Sequence, residues 1–182
     1  MDIAGKNVLV FGSGISGIGA AGLLEERGAS VTLYDGNDKL DVEEIRGKMK
    51  DGAKTDIVLG EFPEELLGKL DLVIISPGVP TDLPIVNRMR ESDIPVVGEI
   101  ELAYELGKGE VLAITGTNGK TTTTALLGEI MKAVYDSAFV VGNIGIPYTN
   151  VVDETRDDSV IVAEMSSFQL ESRSEERRVG KE

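Results

Sequence analysis

The chain has 182 residues, room for one large or two small domains, and 41% of them are hydrophobic, enough for a packed core. A formal net charge of −14 argues against nucleic acid and anionic membrane as partners, but not against nucleotides, which loops and helix ends bind locally. Zero histidines exclude any scheme needing an imidazole within these residues, and zero cysteines exclude disulfides and fit a reducing, cytoplasmic compartment.

The opening residues lack the basic and apolar regions of a secretory signal, and no apolar run is long enough for a membrane span. Residues 7–11 read as an apolar strand and 15–27 as a helix ending at Gly28. A second strand follows at 30–34, then a polar helix over 42–50 with Gly52 beyond it, and a short strand at 57–59. Residues 72–75 form a strong buried strand cut by Ser76-Pro77-Gly78. A helix over 83–91, a strand at 95–97 and a helix over 98–106 complete the first half. Such alternation predicts a parallel sheet covered by helices.

A boundary falls near Gly107-Lys108-Gly109, after which the pattern restarts. Residues 111–114 read as a buried strand and 123–132 as a helix, with further strands at 138–141 and 160–163. The expected organisation is α/β: a Rossmann-like domain over 1–107, then an incomplete P-loop domain over 108–172. The charged end, 173–182, has no periodicity. It reads as non-native, because one reading frame of a widely used DNA-sequencing adapter encodes it. With so few strands and helices to cover its sheet, the second domain is expected to be only partly folded. Met131, Met165 and the aromatic residues read as core, and Glu99 and Glu101 as a solvated helix face.

Two glycine motifs carry the chemistry. Gly12-Ser13-Gly14-Ile15-Ser16-Gly17 is a G-x-G-x-x-G between a strand and a helix, and Asp35 ends the next strand. Gly12 permits the tight turn, Gly14 permits close ligand approach, and Gly17 lets helix and strand pack. On these residues alone a nicotinamide or flavin cofactor, another nucleotide, and no ligand at all stay open. The second motif, Gly116-Thr117-Asn118-Gly119-Lys120-Thr121-Thr122, follows a strand and opens a helix. It is a shortened phosphate loop: backbone N–H groups curl around an anion, Lys120 reaches the outer phosphates, and the Thr121 hydroxyl can ligate magnesium. Without histidine or cysteine, the remaining donors are hard oxygens, which suit that ion.

Six stretches in order carry a resemblance over residues 1–172. They are 12–17 with Asp35, Ser76-Pro77-Gly78-Val79-Pro80, Gly98-Glu99-Ile100-Glu101-Leu102, the loop 115–124, Gly142-Asn143-Ile144-Gly145, and Glu164-Met165-Ser166-Ser167-Phe168-Gln169-Leu170-Glu171. Together they resemble the Mur ligases of peptidoglycan synthesis, and the last stretch points to the D-glutamate-adding branch. The resemblance implies an ATP-dependent amide-bond ligase acting on UDP-N-acetylmuramoyl-L-alanine and D-glutamate, working as a monomer. It moves the first glycine motif from a dinucleotide to the uridine diphosphate of the substrate. Gly14, Ile15 and Ser16 would meet that group, with Asp35 beside the uracil and Ser76 and Gly78 near the pyrophosphate. Asn143 would contact the muramyl substrate or its carboxylate, and Ser166 would be a polar wall of the substrate-binding site. ATP would sit on Gly116 to Thr122, with Lys120 and Glu164 catalytic and Mg2+ held by Thr121 and Glu164.

One departure stands out: Gly36-Asn37 replace a threonine and an arginine that some members carry after the aspartate. The family's downstream histidine, its carbamylated lysine and its glutamate-binding domain would lie past residue 172. The chain is therefore expected to be a truncated, inactive fragment. A nicotinamide-dependent oxidoreductase is the alternative, followed by a nucleotide switch.

Overall fold

Short apolar runs alternate with amphipathic ones, and in the computed structural model each becomes a strand or a helix. The structure describes residues 1–143, 145–166 and 169. Ile144, Ser167, Phe168, Leu170, Glu171 and the tail 173–182 therefore lie outside the described residues. Two units divide the chain, Met1–Leu102 and Ala103–Glu182.

The first unit runs β1 (Asn7–Phe11), α1 (Ile15–Glu26), β2 (Ser30–Asp35), α2 (Val42–Arg46), β3 (Asp56–Leu59), α3 (Glu64–Leu67), β4 (Leu72–Ile75), α4 (Pro84–Glu91) and β5 (Val96–Gly98). Its five strands are all parallel, in the order β3-β2-β1-β4-β5. Parallel pairing forces helical crossovers, which cover the faces and let strands be apolar on both sides. β1 and β4 bury every residue except Asn7. α1 packs on β1 and β2 through a stripe of Gly17, Ala20, Ala21 and Leu24, small residues that allow close approach. One core cluster gathers Leu9, Phe11, Tyr34, Phe62, Val73, Ile75, Val86 and Met89. Within it the Phe11 and Tyr34 rings lie 4.8 Å apart, and Phe62 meets Tyr34 edge-on at 5.2 Å.

α2 stops at Arg46, short of the expected 50. Asp41 caps it, accepting from the Glu43 and Glu44 N–H groups at 2.7 and 3.2 Å, but Ile45 is its single buried residue. A helix with so narrow an apolar face ends at the first glycine, Gly47. The single turn α3, below the length at which periodicity registers, was not anticipated; its Leu66 and Leu67 lean on the core cluster.

α5 (Glu99–Leu106) starts directly from β5 and spans the division between units. It corrects the solvated-face expectation: Glu99 and Glu101 are buried at 2% and 4% exposure. Ile100, Leu102 and Ala103 are buried too, so this turn is enclosed all round. Its two acids complement the helix dipole.

The second unit runs β6 (Glu110–Ile114), α6 (Lys120–Val134), β7 (Ala138–Gly142), two 3-10 turns at Tyr148–Asn150 and Val152–Glu154, and β8 (Val160–Glu164). β8 lies between β6 and β7, parallel to both. It is buried along its whole length. The expected buried strand at 111–114 is instead half-exposed, because β6 is an edge strand of this sheet. Two further core expectations shift. Met165 is buried, but Met131 is only partly so, and Tyr135, just past the end of α6, is 43% exposed. Tyr148 is fully buried, and burial with the neighbouring Tyr104 pushes its phenol up to about 12.

Candidate functional site

In an open parallel sheet, ligands sit beyond the carboxyl ends of the strands, where the strand order reverses. In the first unit that point is β1, whose neighbours are β2 on one side and β4 on the other. The loop after β1 is the G-x-G-x-x-G. Its first glycine adopts φ +105, which a side chain would strain, and a Cβ there would lie 2.9 Å from Ser76 Cβ and from Val79 Cγ2. A Cβ on Gly17 would sit 1.8 Å from the Gly12 carbonyl oxygen, so nothing larger than glycine lets α1 start here. A Cβ on Gly14 would meet nothing within 4 Å, which leaves open space on the loop's outer side.

The loop is tied down on both flanks. Gly12 N–H donates to the Tyr34 carbonyl at 2.8 Å. Asp35 Oδ2 accepts from the Ser13 N–H at 2.9 Å and from the Ser13 hydroxyl at 2.7 Å, and Oδ1 accepts from the Asn37 N–H at 3.0 Å. Partial burial pushes the Asp35 carboxyl up, but these hydrogen bonds outweigh it and hold the group below its usual range. On the β4 side the Ser76 hydroxyl donates to the Gly12 carbonyl at 3.2 Å, and Ser76 is itself buried. Ile15 stands out at 76% exposure, an apolar side chain held in solvent beside the loop. Gly14, Ile15, Ser16, Asp35, Ser76 and Gly78 thus come from the ends of three adjacent strands, β1, β2 and β4. Ser13, to which the glycine pattern assigns no role, makes two of the hydrogen bonds to Asp35. Its hydroxyl next to an acid-ended strand was the signal available.

In the second unit the loop after β6 carries Thr115 to Gly119. α6 begins at Lys120, three residues earlier than expected, so the Lys120, Thr121 and Thr122 N–H groups lie in its first turn without intrahelical acceptors. Its N-cap, Gly119, has φ +77 and no capping side chain. Gly116, Thr117, Asn118, Thr121 and Thr122 are exposed, and Lys120 Nζ donates to the Gly116 carbonyl at 2.6 Å, closing the loop on itself. Strand register pairs Ile114 with Glu164, so the acid ends the strand adjacent to the one that feeds this loop. Glu164 is buried at 4% exposure, and among the described residues its Oε2 has no hydrogen-bond partner. An ionised carboxylate with a bare buried oxygen is costly unless a cation supplies the missing interaction. The donor set therefore fits a magnesium ion, with Thr121 supplying an exposed hydroxyl.

The remaining expected residues gather at the same edge. Asn143 N–H donates to the Glu164 carbonyl at 3.1 Å, leaving its side chain exposed. Ser166 and Gln169 interlock: Gln169 Oε1 accepts from the Ser166 N–H at 2.7 Å and from its hydroxyl at 3.1 Å. The Gln169 N–H returns to Ser166 Oγ at 3.4 Å.

Residues 6–98 match the family described as Mur ligase MurD-like, N-terminal domain, and residues 114–179 match the Mur ligase middle domain. The UDP-N-acetylmuramoylalanine–D-glutamate ligase of Lachnoclostridium phytofermentans is 56% identical over 172 residues, covering 94% of this chain and 38% of that protein. The ligase of the same name from Lachnospira eligens is 57% identical over the same length and coverage. A murein peptide ligase from Psychrobacter arcticus shares the fold, with a TM-score of 0.53 at 22% identity, over 93% of this chain and 40% of that one. The chain thus spans about 38% of the length of the curated relatives it matches. With both glycine loops seated at the ends of parallel strands, and with matches running through each unit, the chain belongs to the Mur ligase family.

Proposed function

We propose that these residues form the substrate-nucleotide domain and the opening part of the ATP domain of a cytoplasmic ligase. That ligase adds D-glutamate to UDP-N-acetylmuramoyl-L-alanine and forms ADP. The observation that carries the reading is the strand register Ile114↔Glu164, which sets beside the phosphate loop a buried carboxylate incompletely satisfied among the described residues. The high identity to the two ligases supports the choice of substrates.

In the proposed reaction a substrate carboxylate oxygen attacks the γ-phosphorus of ATP and ADP leaves. The amine of D-glutamate then attacks the acyl carbon, phosphate leaves, and an amide bond forms. Such phosphoryl transfer is mostly positioning and charge neutralisation. The amides of Gly116 to Thr122 cradle the phosphates. Lys120 leaves the Gly116 carbonyl to meet their charge. Thr121 and Glu164 would hold magnesium, which supplies further charge neutralisation when bound. In the first unit, Gly14, Ile15, Ser16 and Asp35 receive the uridine diphosphate, with Ser76 and Gly78 at its pyrophosphate. Asn143 and Ser166 orient the muramyl part, and the ligase acts as a monomer.

Isothermal titration tests it. Wild type should bind UDP, and Asp35→Ala should weaken that binding by about 1–3 kcal/mol, the worth of hydrogen bonds to a carboxylate. Tight NAD binding with no UDP binding would overturn the assignment.

A further inference from the structure

We propose that Ser13 is a positioning residue for nucleotide recognition: it fixes the Asp35 carboxylate so that one acceptor position, on Oδ1, is left for a donor on the ligand. This rests on the reading of the first unit as a uridine-nucleotide site.

The argument is a count of lone pairs. An ionised carboxylate oxygen accepts about two hydrogen bonds and donates none. Asp35 Oδ2 already accepts two, both from Ser13: the N–H at 2.9 Å and the hydroxyl at 2.7 Å. Oδ1 accepts one, from the Asn37 N–H at 3.0 Å. Among the described residues one position on Oδ1 remains. A carboxylate gripped at both oxygens has little freedom to turn, so that position is fixed in space. It rewards a ligand edge that offers an N–H or O–H and penalises one that offers a lone pair. Uracil presents an N3–H, whereas cytosine presents an N3 acceptor at the same place.

Among the described residues the Ser13 hydroxyl has no other hydrogen-bond partner. Other hydrogen bonds hold the loop beside it. Gly12 N–H holds the Tyr34 carbonyl at 2.8 Å, Ile18 N–H holds the Gly14 carbonyl at 2.9 Å, and the Ser76 hydroxyl holds the Gly12 carbonyl at 3.2 Å. A variant without the hydroxyl therefore keeps its loop but frees a lone pair on Oδ2. The carboxylate gains a second acceptor position and can rotate to use it. Affinity for uridine nucleotides falls, and discrimination against cytidine nucleotides falls with it.

The test is titration of UDP and CDP into the 182-residue chain as wild type, Ser13→Ala, Ser13→Thr, Asp35→Ala and the Ser13→Ala/Asp35→Ala double variant. Ser13→Ala should bind UDP about tenfold more weakly, in line with losing one hydrogen bond to a charged group. It should also narrow the UDP-to-CDP ratio, and Ser13→Thr should restore both. In the Asp35→Ala background the Ser13 change should cost nothing further, because the two act as one unit.

Wild-type affinity in Ser13→Ala would overturn the inference while leaving the uridine site standing. Equal losses for UDP and CDP, or additive losses in the double variant, would reduce Ser13 to a loop residue and overturn it too. Absence of UDP binding by wild type would overturn the site and the inference together. Ser13→Gly serves as the second hydroxyl-free variant. Collapse of the far-ultraviolet dichroism in both would make Ser13 a folding residue and end the proposal.

Discussion

In the first sheet β1 and β4 are buried along nearly their whole length, whereas in the second only β8 is, and its neighbours β6 and β7 are largely half-exposed. Both sheets are parallel, and each carries a glycine loop at the carboxyl end of its first strand. They differ in cover. The first unit has crossover helices and a cluster that draws on α4 as well as the sheet, through Val86 and Met89. In the second, α6 packs on the sheet through Thr124 and Gly128. A Cβ on Gly128 would lie 2.3 Å from Val140 Cγ2, so the approach is close. The opposite stripe of that helix, Leu126, Ile130 and Val134, is exposed at 63%, 48% and 70%. These residues are four apart and share one face. Apolar periodicity thus marks a face that calls for cover; it does not say which residues provide the cover.

The comparison can be broken in the core first. Leu9→Ala removes a fully buried side chain from β1 and should cost about 2–5 kcal/mol, read as a fall in the urea midpoint of the first unit. A cost below about 1 kcal/mol would show a loosely packed first sheet. Hydrogen exchange sharpens the contrast. Amides of β1 and β4 should exchange at least about a hundredfold more slowly than those of β6, whose outer edge is unpaired among the described residues. Equal protection would mean the second unit is as stable as the first.

Glu164→Gln tests the site at the end of β8. Removing a buried charge whose Oε2 has no partner among the described residues should leave stability unchanged or raise it, while the magnesium-dependent part of ATP binding falls about tenfold or more. Loss of fold in this variant, or magnesium-dependent ATP binding equal to wild type, would remove Glu164 from the metal site. Thr124→Val swaps a fully buried hydroxyl that has no partner among the described residues for a methyl of the same shape. It should stabilise the second unit by about 1 kcal/mol, read in its thermal midpoint. Smallest of all, Leu126→Ser on the exposed stripe should shift stability by less than about 0.5 kcal/mol and leave ATP binding intact.

Much of this was legible in order and type. Strand runs such as 7–11, 72–75 and 160–163 are short, apolar and bounded by turn residues, so local chemistry nearly forces them. Both glycine loops announce themselves because their backbone needs residues without a Cβ, as φ +105 at Gly12 and +77 at Gly119 show. Burial at single positions was less legible. Glu99 and Glu101 read as surface because charge is costly inside, yet α5 buries both by starting straight from β5. Tyr135 read as core because it is aromatic, and it lies exposed just beyond α6. The lengths of α2 and α6 were also missed. The first has too little apolar face to persist, and the second starts inside the phosphate loop, where glycine rather than a polar side chain takes the cap.

By itself the sequence determined the α/β alternation, the two glycine loops and the acids at Asp35 and Glu164, because these depend on residue type and spacing within a few positions. Only tertiary structure decided which strand stands beside which. The register of β6 with β8 brings Glu164 beside a loop some fifty residues away in the chain, and the order β2-β1-β4 sets Ser76 and Asp35 on opposite flanks of Gly12. It also decided that Ser13 saturates one oxygen of Asp35. Pairings of that kind arise from packing helices on both faces of a twisted sheet, and no local pattern of residues encodes them.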